Sequence, residues 1–376
     1  MPLLLRKISL SHFRSYDAFR LDLQRGDSAA PLVVLTGPNG AGKTNVLEAI
    51  SLLTPGRGLR GAELGEMKNT HADGADLWAI SAELEAANGD TLRIGTGIDR
   101  NSQRRVIRIN GQNAKNQDEL SDAVAAVWLT PQMDRLFLDG TSARRRFLDR
   151  LVFAFEPAHA TRLNRYDKTL RERMKILQDS PRPDATWLAQ LEARLAADAV
   201  AIAASRMTLV SNLQKHARAL NAAAPLFPEP SVLVSGWVED AIATRPASAV
   251  EDELREKLRD TRALDRSTGR TQDGTHRSDM IVTYLEKNMP AAQCSTGEQK
   301  ALLVSITLAH ARMMKAEKGF VPIILLDEVA AHLDEARRLQ LFAQLRTLGG
   351  QIWLTGTDDQ VFAPLENDAK IFRLPA

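Results

Sequence analysis

The sequence holds a single cysteine, Cys294. That excludes an internal disulfide and any cysteine-rich metal centre, and a lone thiol of this size is expected to pack rather than react. No run approaches the roughly 20 consecutive apolar residues needed to cross a bilayer. The opening MPLLLRKISLSHF lacks the long apolar stretch and cleavage site of a secretory leader. The expectation is a cytoplasmic protein with no membrane partner. Net charge is nearly absent too, with 49 basic against 47 acidic residues, so bulk charge does not announce a nucleic-acid partner. There is no internal repeat, no low-complexity tract and no hydrophobic heptad long enough for a coiled-coil arm. Aromatic residues are scarce at 5%, yet with 44% hydrophobic residues the 376-residue chain can bury one large core or two ordinary ones.

Local charge is less even. Between Ser142 and Lys175 ten basic residues face four acids, and the ten include Arg144, Arg145, Arg146, Arg150, Arg162, Arg165 and Arg173. Such a run supplies phosphate contacts to nucleic acid or is a solvated helix face.

The first third reads as strands: LLRKISL, AFRLDL, the apolar run PLVVLT, DLWAISAEL, and RRVIRING with an Asn110-Gly111 turn. One helix interrupts them, starting at Lys43. From Ser142 to Ala224 the pattern becomes Ala/Leu/Arg-rich and helical, ended by prolines at 225, 228 and 230. A second helical stretch near 247–266 precedes the polar loop STGRTQDGTHRSD, after which strands and helices alternate again. The organisation expected is α/β: an N-terminal part at residues 1–135 and a C-terminal part at residues 285–376 forming one domain, with an inserted, mainly helical lobe at residues 136–284.

The strand PLVVLT runs into Gly37-Pro38-Asn39-Gly40-Ala41-Gly42-Lys43-Thr44-Asn45 and then an amphipathic helix. This is the strand, turn and helix context of a phosphate-binding P-loop. Its backbone N–H groups must converge on a polyphosphate, which calls for glycines at close approach and a helix N-terminus behind them. Lys43 would reach the β/γ-phosphates of ATP and the Thr44 hydroxyl would ligate Mg²⁺. Farther on, IILLDE matches a buried strand delivering Asp327 and Glu328 at its C-terminal end. Asp327 would hold the metal through water and Glu328 would polarise the attacking water as general base. The bland alternative is an acidic pair opening a helix.

Ahead of the acidic strand, Ser295-Thr296-Gly297-Glu298 reads as a loop opening a long helix, able to bind an anion or to serve simply as a capping box. Ser295 to Gln299 is similar to the signature motif of ABC ATPases, and Ala331-His332-Leu333-Asp334 to their D-loop. That similarity implies an ABC/SMC-type P-loop ATPase head, in which Ser295 and Gly297 of one subunit cap the γ-phosphate held by the P-loop of another. ATP would then hold a homodimer together. The 252 positions between Lys43 and Ser295 leave room for a lobe but not for long SMC-type arms.

Together with those motifs, the segments ISLSHFRSYDAFRLDL, LTPQMDRLFLDGTSARRRFLD and GTHRSD resemble the RecF family over nearly the whole chain. The resemblance implies a weak, DNA-stimulated ATPase of recombinational repair and replication restart. It would switch or clamp on single- and double-stranded, gapped or junction DNA, with RecR- and RecO-type partner proteins. Gln132 falls where a Q-loop metal ligand would stand. The loop Gly274 to Asp279 departs from the family pattern GPHRDD and can touch nucleotide, DNA or only its own fold. No switch histidine follows QIWLTGTDD, which leaves Thr357, Asp358 or no residue at all as γ-phosphate sensor. Two other classes compete: the ATPase subunit of an ABC transporter, disfavoured by the long motif interval, and a small-molecule P-loop kinase, which needs no signature loop.

Overall fold

The computed structural model describes residues 3–26, 28–69, 77–86, 88–100, 102–115, 119–120, 124–179 and 183–375. The chain forms two compact units. One gathers Met1–Asp134, His216–Glu229 and Ser295–Ala376, the other Arg135–Lys215 and Pro230–Cys294.

The first unit carries two large sheets and a two-stranded ribbon of Gln24–Arg25 with Ser28–Ala29. Strands β1 (Leu3–Phe13), β2 (Tyr16–Asp22), β4 (Ala79–Ala86), β5 (Thr91–Ile98), β6 (Arg105–Ile109) and β7 (Gln112–Asn113) build an antiparallel sheet in the order β2-β1-β4-β5-β6-β7, while β3 (Leu32–Thr36) belongs to the second. In that second, parallel sheet the order is β8-β9-β10-β3-β11, with β8 Ala126–Leu129, β9 Ile323–Leu326, β10 Ile352–Gly356 and β11 Ala369–Arg373. All five residues of β3 are buried, as a central parallel strand covered on both faces requires, and this is why LVVLT is apolar without alternation. In β1 the inward residues are Leu5, Ile8, Leu10 and Phe13. A bulge between Leu5 and Lys7 inserts the extra residue that keeps both Leu5 and Ile8 facing the core.

One apolar cluster joins the inner face of the antiparallel sheet to the parallel sheet and to the helix Lys43–Ser51. Gln351 pins the sheets together from within: its amide nitrogen donates to the Leu5 and Ala30 carbonyls at 2.9 and 3.0 Å, and its oxygen accepts from the Leu5 amide at 2.9 Å.

The second unit is helical in the main, with helices Thr141–Phe155, Ala158–Asp179, Ala247–Asp260 and Arg262–Thr268 and most of Ala185–Ala223. It adds an antiparallel sheet of Pro230–Ser235, Asp279–Tyr284 and Met289–Pro290. Its apolar core sets Tyr166, Leu195, Ile202 and Ala203 against Val238, Val250, Leu254 and Leu258. Among the described residues no helix is long and apolar enough to cross a membrane.

Candidate functional site

Strand β3 delivers the chain to Gly37, and the helix Lys43–Ser51 carries it away. Between them Gly37, Gly40 and Gly42 have φ of +148°, +86° and +88°, conformations that side-chain-bearing residues rarely adopt. Space forbids a side chain as well: a Cβ at Gly42 would lie 2.3 Å from the Tyr16 hydroxyl, and one at Gly37 2.5 Å from the Leu374 carbonyl oxygen. Tyr16 Oη donates to the Ala41 carbonyl at 3.1 Å. Burial pushes its phenol up to about 12, so it remains a donor throughout the neutral range.

The Lys43 ammonium is buried at the mouth of the loop and donates to the carbonyls of Gly37 and Pro38 at 2.7 and 2.8 Å. Thr44 Oγ1 donates to Asp327 Oδ2 at 2.9 Å, joining the start of the helix to the end of β9 across 283 positions of sequence. Thr355, in β10, donates to Asp327 Oδ1 at 2.7 Å and accepts the Glu328 amide at 2.9 Å. Burial raises the Asp327 carboxyl above the usual carboxylate range, outweighing the two threonine hydrogen bonds that lower it.

Glu328 holds φ at +55°, a left-handed conformation uncommon outside glycine and held here by its neighbours. It precedes Val329, the cap of the short 3-10 turn Ala330–His332, and so lies outside that turn's cap and first residues. Its side chain shares a pocket of about 150 Å³ with Gly40, Lys43, Thr44, Asn45 and Arg60.

Arg60 is a cation that the sequence reading missed. It donates to Asn45 Oδ1 at 2.9 Å and also to Glu48. Glu48 is fully buried and takes a second arginine, Arg14, through Nε at 2.8 Å and Nη2 at 2.6 Å. Thr355 was missed as well. The only hint in sequence is a hydroxyl ending the apolar strand QIWLT, since its link to Asp327 is purely tertiary.

The remaining candidates lie elsewhere on the same unit. Ser295 is exposed and caps the helix Thr296–Lys318 in a reciprocal box with Glu298. Gly297 is exposed beside it. Gln132 is exposed in the short turn Pro131–Arg135 that follows β8, whose Leu129 carbonyl accepts the Asp327 amide at 2.9 Å. The signature helix reaches that turn through Lys300, which pairs with Asp134 at 2.8 Å. Of the candidate sensors, Asp358 caps the turn after β10 by accepting from the Gln360 amide, and Thr357 is exposed.

In the second unit, the loop Gly274 to Asp279 serves its own fold. Thr275 and Ser278 donate to the two Glu239 carboxylate oxygens at 2.8 and 2.7 Å, Arg206 donates to the Thr275 carbonyl at 2.9 Å, and Tyr166 bonds His276 at 2.8 Å. The basic run beginning at Ser142 is largely consumed in the same way. Arg144 grips Asp279, Arg145 donates to the Ser278 carbonyl, Arg162 and Arg165 pair with Glu156 and Asp198, and Arg173 lies fully buried between Glu192 and Asp265. Arg150 is buried over the Phe147 ring. Of the ten, Arg146, Lys168, Arg171 and Lys175 are exposed and form no ion pair or hydrogen bond among the described residues. Of the three consecutive arginines, Arg144 and Arg145 are tied into the lobe and Arg146 is exposed.

Residues 4–374 match the family described as the RecF/RecN/SMC N terminal domain. The chain is 46% identical over 370 residues to the DNA replication and repair protein RecF of Rhizobium leguminosarum bv. trifolii (strain WSM2304), covering 98% of this chain and 96% of that protein. It is 44% identical over 373 residues to the DNA replication and repair protein RecF of Brucella suis biovar 1 (strain 1330), covering 99% and 94%. Among solved structures it resembles the recombination mediator protein RecF-ATP in the RecFOR pathway, with a TM-score of 0.83 at 22% identity over 99% of this chain and 96% of that one. A Smc head domain from Pyrococcus furiosus gives 0.55 at 14% identity, over 99% and 93%. At such identities both structural likenesses bear on the fold alone.

Proposed function

The chain belongs to the RecF family, and on that premise we propose that it is an ATP-dependent DNA-binding protein of recombinational repair, a weak DNA-stimulated ATPase that uses hydrolysis to switch a dimer on gapped or junction DNA. The observation that carries the nucleotide part is the junction of Thr44, Asp327, Thr355 and Glu328, which brings the P-loop and the end of the acidic strand together across the intervening strand β10. Its relatives are named for DNA replication and repair, which supports the DNA part of the reading; the cytoplasm as its place, gapped DNA as substrate and RecR- and RecO-type proteins as partners are part of the proposal.

In this reading the loop from Gly37 to Asn45 binds the phosphates of ATP through its backbone amides and the helix dipole. Lys43 turns its ammonium from the Gly37 and Pro38 carbonyls to the β- and γ-phosphates. The donor set of Thr44 hydroxyl and buried Asp327 carboxylate fits a small hard cation, and that carboxylate, short of charge compensation, is one a cation would relieve. Mg²⁺ bound there would neutralise charge on the phosphate oxygens, with Gln132 joining through water. Glu328 accepts the proton of the attacking water, its aim fixed by the Thr355 hydroxyl. Ser295 and Gly297 cap the γ-phosphate of a second copy.

ATP should bind the wild type and convert it from monomer to dimer, read by light scattering. Lys43→Met should lose nucleotide binding, and Ser295→Arg should bind ATP yet stay monomeric. A wild-type turnover per subunit that does not rise with protein concentration refutes the split site.

A further inference from the structure

Strands β1, β2, β4, β5 and β6 turn one face to the core, and the opposite face is partly or fully exposed. Registration across β2, β1, β4, β5 and β6 sorts that outer face into rows. One row runs Arg20, Ser9, Ser81, Gly95, Arg108. The next runs Ala18, Ser11, Ala79, Gly97, Val106. The floor of both rows is nearly free of bulk, and part of it forms an open cavity of about 630 Å³ lined by Ser11, Ser81, Arg93, Gly95, Gly97 and Arg108.

Charge follows the rows too. In the third row Lys7 stands between Asp22 and Glu83, and Arg93 beyond Glu83, so these two acids are matched by cations at 4.0 and 3.7 Å, while Glu85 lies one row beyond and Asp99 at the end of the cavity. Such exposed pairs leave little net field. The first row holds two arginines and no acid. Arg20 is exposed, and exposed Arg108 donates only to the Asn113 side chain, at 3.1 Å. Four strand spacings separate them, about 19 Å at ~4.8 Å each, comparable to the width of a nucleic-acid duplex. The right-handed twist of adjacent strands makes such a sheet a saddle, concave along one diagonal.

We propose that this outer sheet face is a saddle for double-stranded DNA, with Arg20 and Arg108 each taking a phosphate of opposite strands. Ser9, Ser81 and the Gly95 backbone form a floor low enough for the duplex to approach. Arginines and serine hydroxyls on phosphates position a duplex without reading its sequence, which suits a protein that must act wherever a gap occurs. The inference rests on the DNA-binding reading above and names the surface it uses, in place of the basic run consumed within the second unit.

The test is fluorescence anisotropy of a labelled duplex with the full-length protein and ATP, across a salt series, for wild type, Arg20→Glu, Arg108→Glu, the double variant and the floor variant Ser81→Glu. These positions are exposed, and the milder Arg20→Gln and Arg108→Gln guard against a folding defect. Each single reversal should flatten the log K against log salt slope by about 0.9 and the double by about 1.8. Ser81→Glu should weaken duplex binding more than tenfold. All variants should keep ATP binding and ATP-driven dimerisation. A wild type that binds duplex, beside a double variant with unchanged affinity and slope, overturns the saddle and leaves the functional reading standing. Loss of the dimer with duplex affinity intact also overturns it, since the face would then contact protein. A wild type that binds no DNA with ATP present sinks the functional reading itself.

Discussion

Thr355→Val removes one hydroxyl while keeping the shape of the side chain. The hydroxyl has two partners, the Asp327 carboxylate as acceptor at 2.7 Å and the Glu328 amide as donor at 2.9 Å. A hydrogen bond to a charged group contributes about 1.5–3 kcal/mol, and an orphaned amide costs about 1–3 kcal/mol when fully buried. Glu328 is only half-buried, so its amide can take water, and the combined loss in stability should be near ~3 kcal/mol. The catalytic effect is separate. With its amide released, Glu328 can relax from φ +55°, shedding strain of about 1–3 kcal/mol and losing the aim of its carboxylate. If ~2 kcal/mol of preorganisation goes with it, turnover falls about 30-fold. ATP affinity should move far less, because Lys43 and the loop amides are untouched. Phosphate release at saturating ATP, beside equilibrium binding of a fluorescent ATP analogue, separates the two effects. Thr355→Ser, which keeps both hydrogen bonds, should restore turnover. Wild-type turnover in the valine variant, or a serine variant as slow as the valine one, refutes the role given to this hydroxyl.

Glu328→Gln should bind ATP, hydrolyse it slowly and accumulate the ATP-bound dimer in sedimentation; normal turnover removes Glu328 as the base. Gly42→Ala should weaken ATP binding by displacing Tyr16, which a Cβ would approach to 2.3 Å, and Tyr16→Ala in the same chain should recover part of the loss. Arg206→Leu strands the buried Asp149 carboxylate it grips at 2.7 and 2.9 Å and should cost about 3–5 kcal/mol in denaturant unfolding. Burial alone would raise the Asp149 carboxyl, but Arg206 and His159 hold it below its ordinary 3.8. Its stabilisation is therefore present above that value and lost as pH falls through the lower folded-state value, and Asp149→Asn should flatten the acid limb of the unfolding midpoint.

The P-loop and the acidic strand were legible because their signals are local. An apolar strand, a glycine turn and a helix opening with Lys-Thr are written in consecutive residues, as is an apolar strand ending in Asp-Glu. Thr355 was not legible, because its meaning comes from Asp327 lying 28 positions away on a neighbouring strand. Arg60 and Arg14 were hidden likewise, since only the fold brings both onto Glu48. The basic run was legible as charge but not as function. Sequence shows that Arg144, Arg165 and Arg173 are close together, not that Asp279, Asp198 and Asp265 return from later segments to meet them. The cations of the outer sheet escape notice for the opposite reason: Arg20 and Arg108 lie 88 positions apart in sequence and share a row only through pairing of β2, β1, β4, β5 and β6.

Ser295 and Gly297 show how one segment satisfies a local and a distant demand together. The capping box between Ser295 and Glu298 starts the helix whatever else the segment does, so the serine has a sufficient reason within the chain. The glycine has none. It sits in the first turn of a helix, where glycine costs about 1 kcal/mol relative to alanine. Its φ is not positive, and a Cβ built on it meets no atom within 4 Å. Neither conformation nor packing in this chain asks for the missing side chain, whereas at Gly37 and Gly42 both do. In the split-site reading proposed above the demand comes from outside the chain, because bare backbone would let a partner approach the helix N-terminus closely. A γ-phosphate held by the Lys43 and Thr44 of a second copy is such a partner, and it is the one that the split site requires.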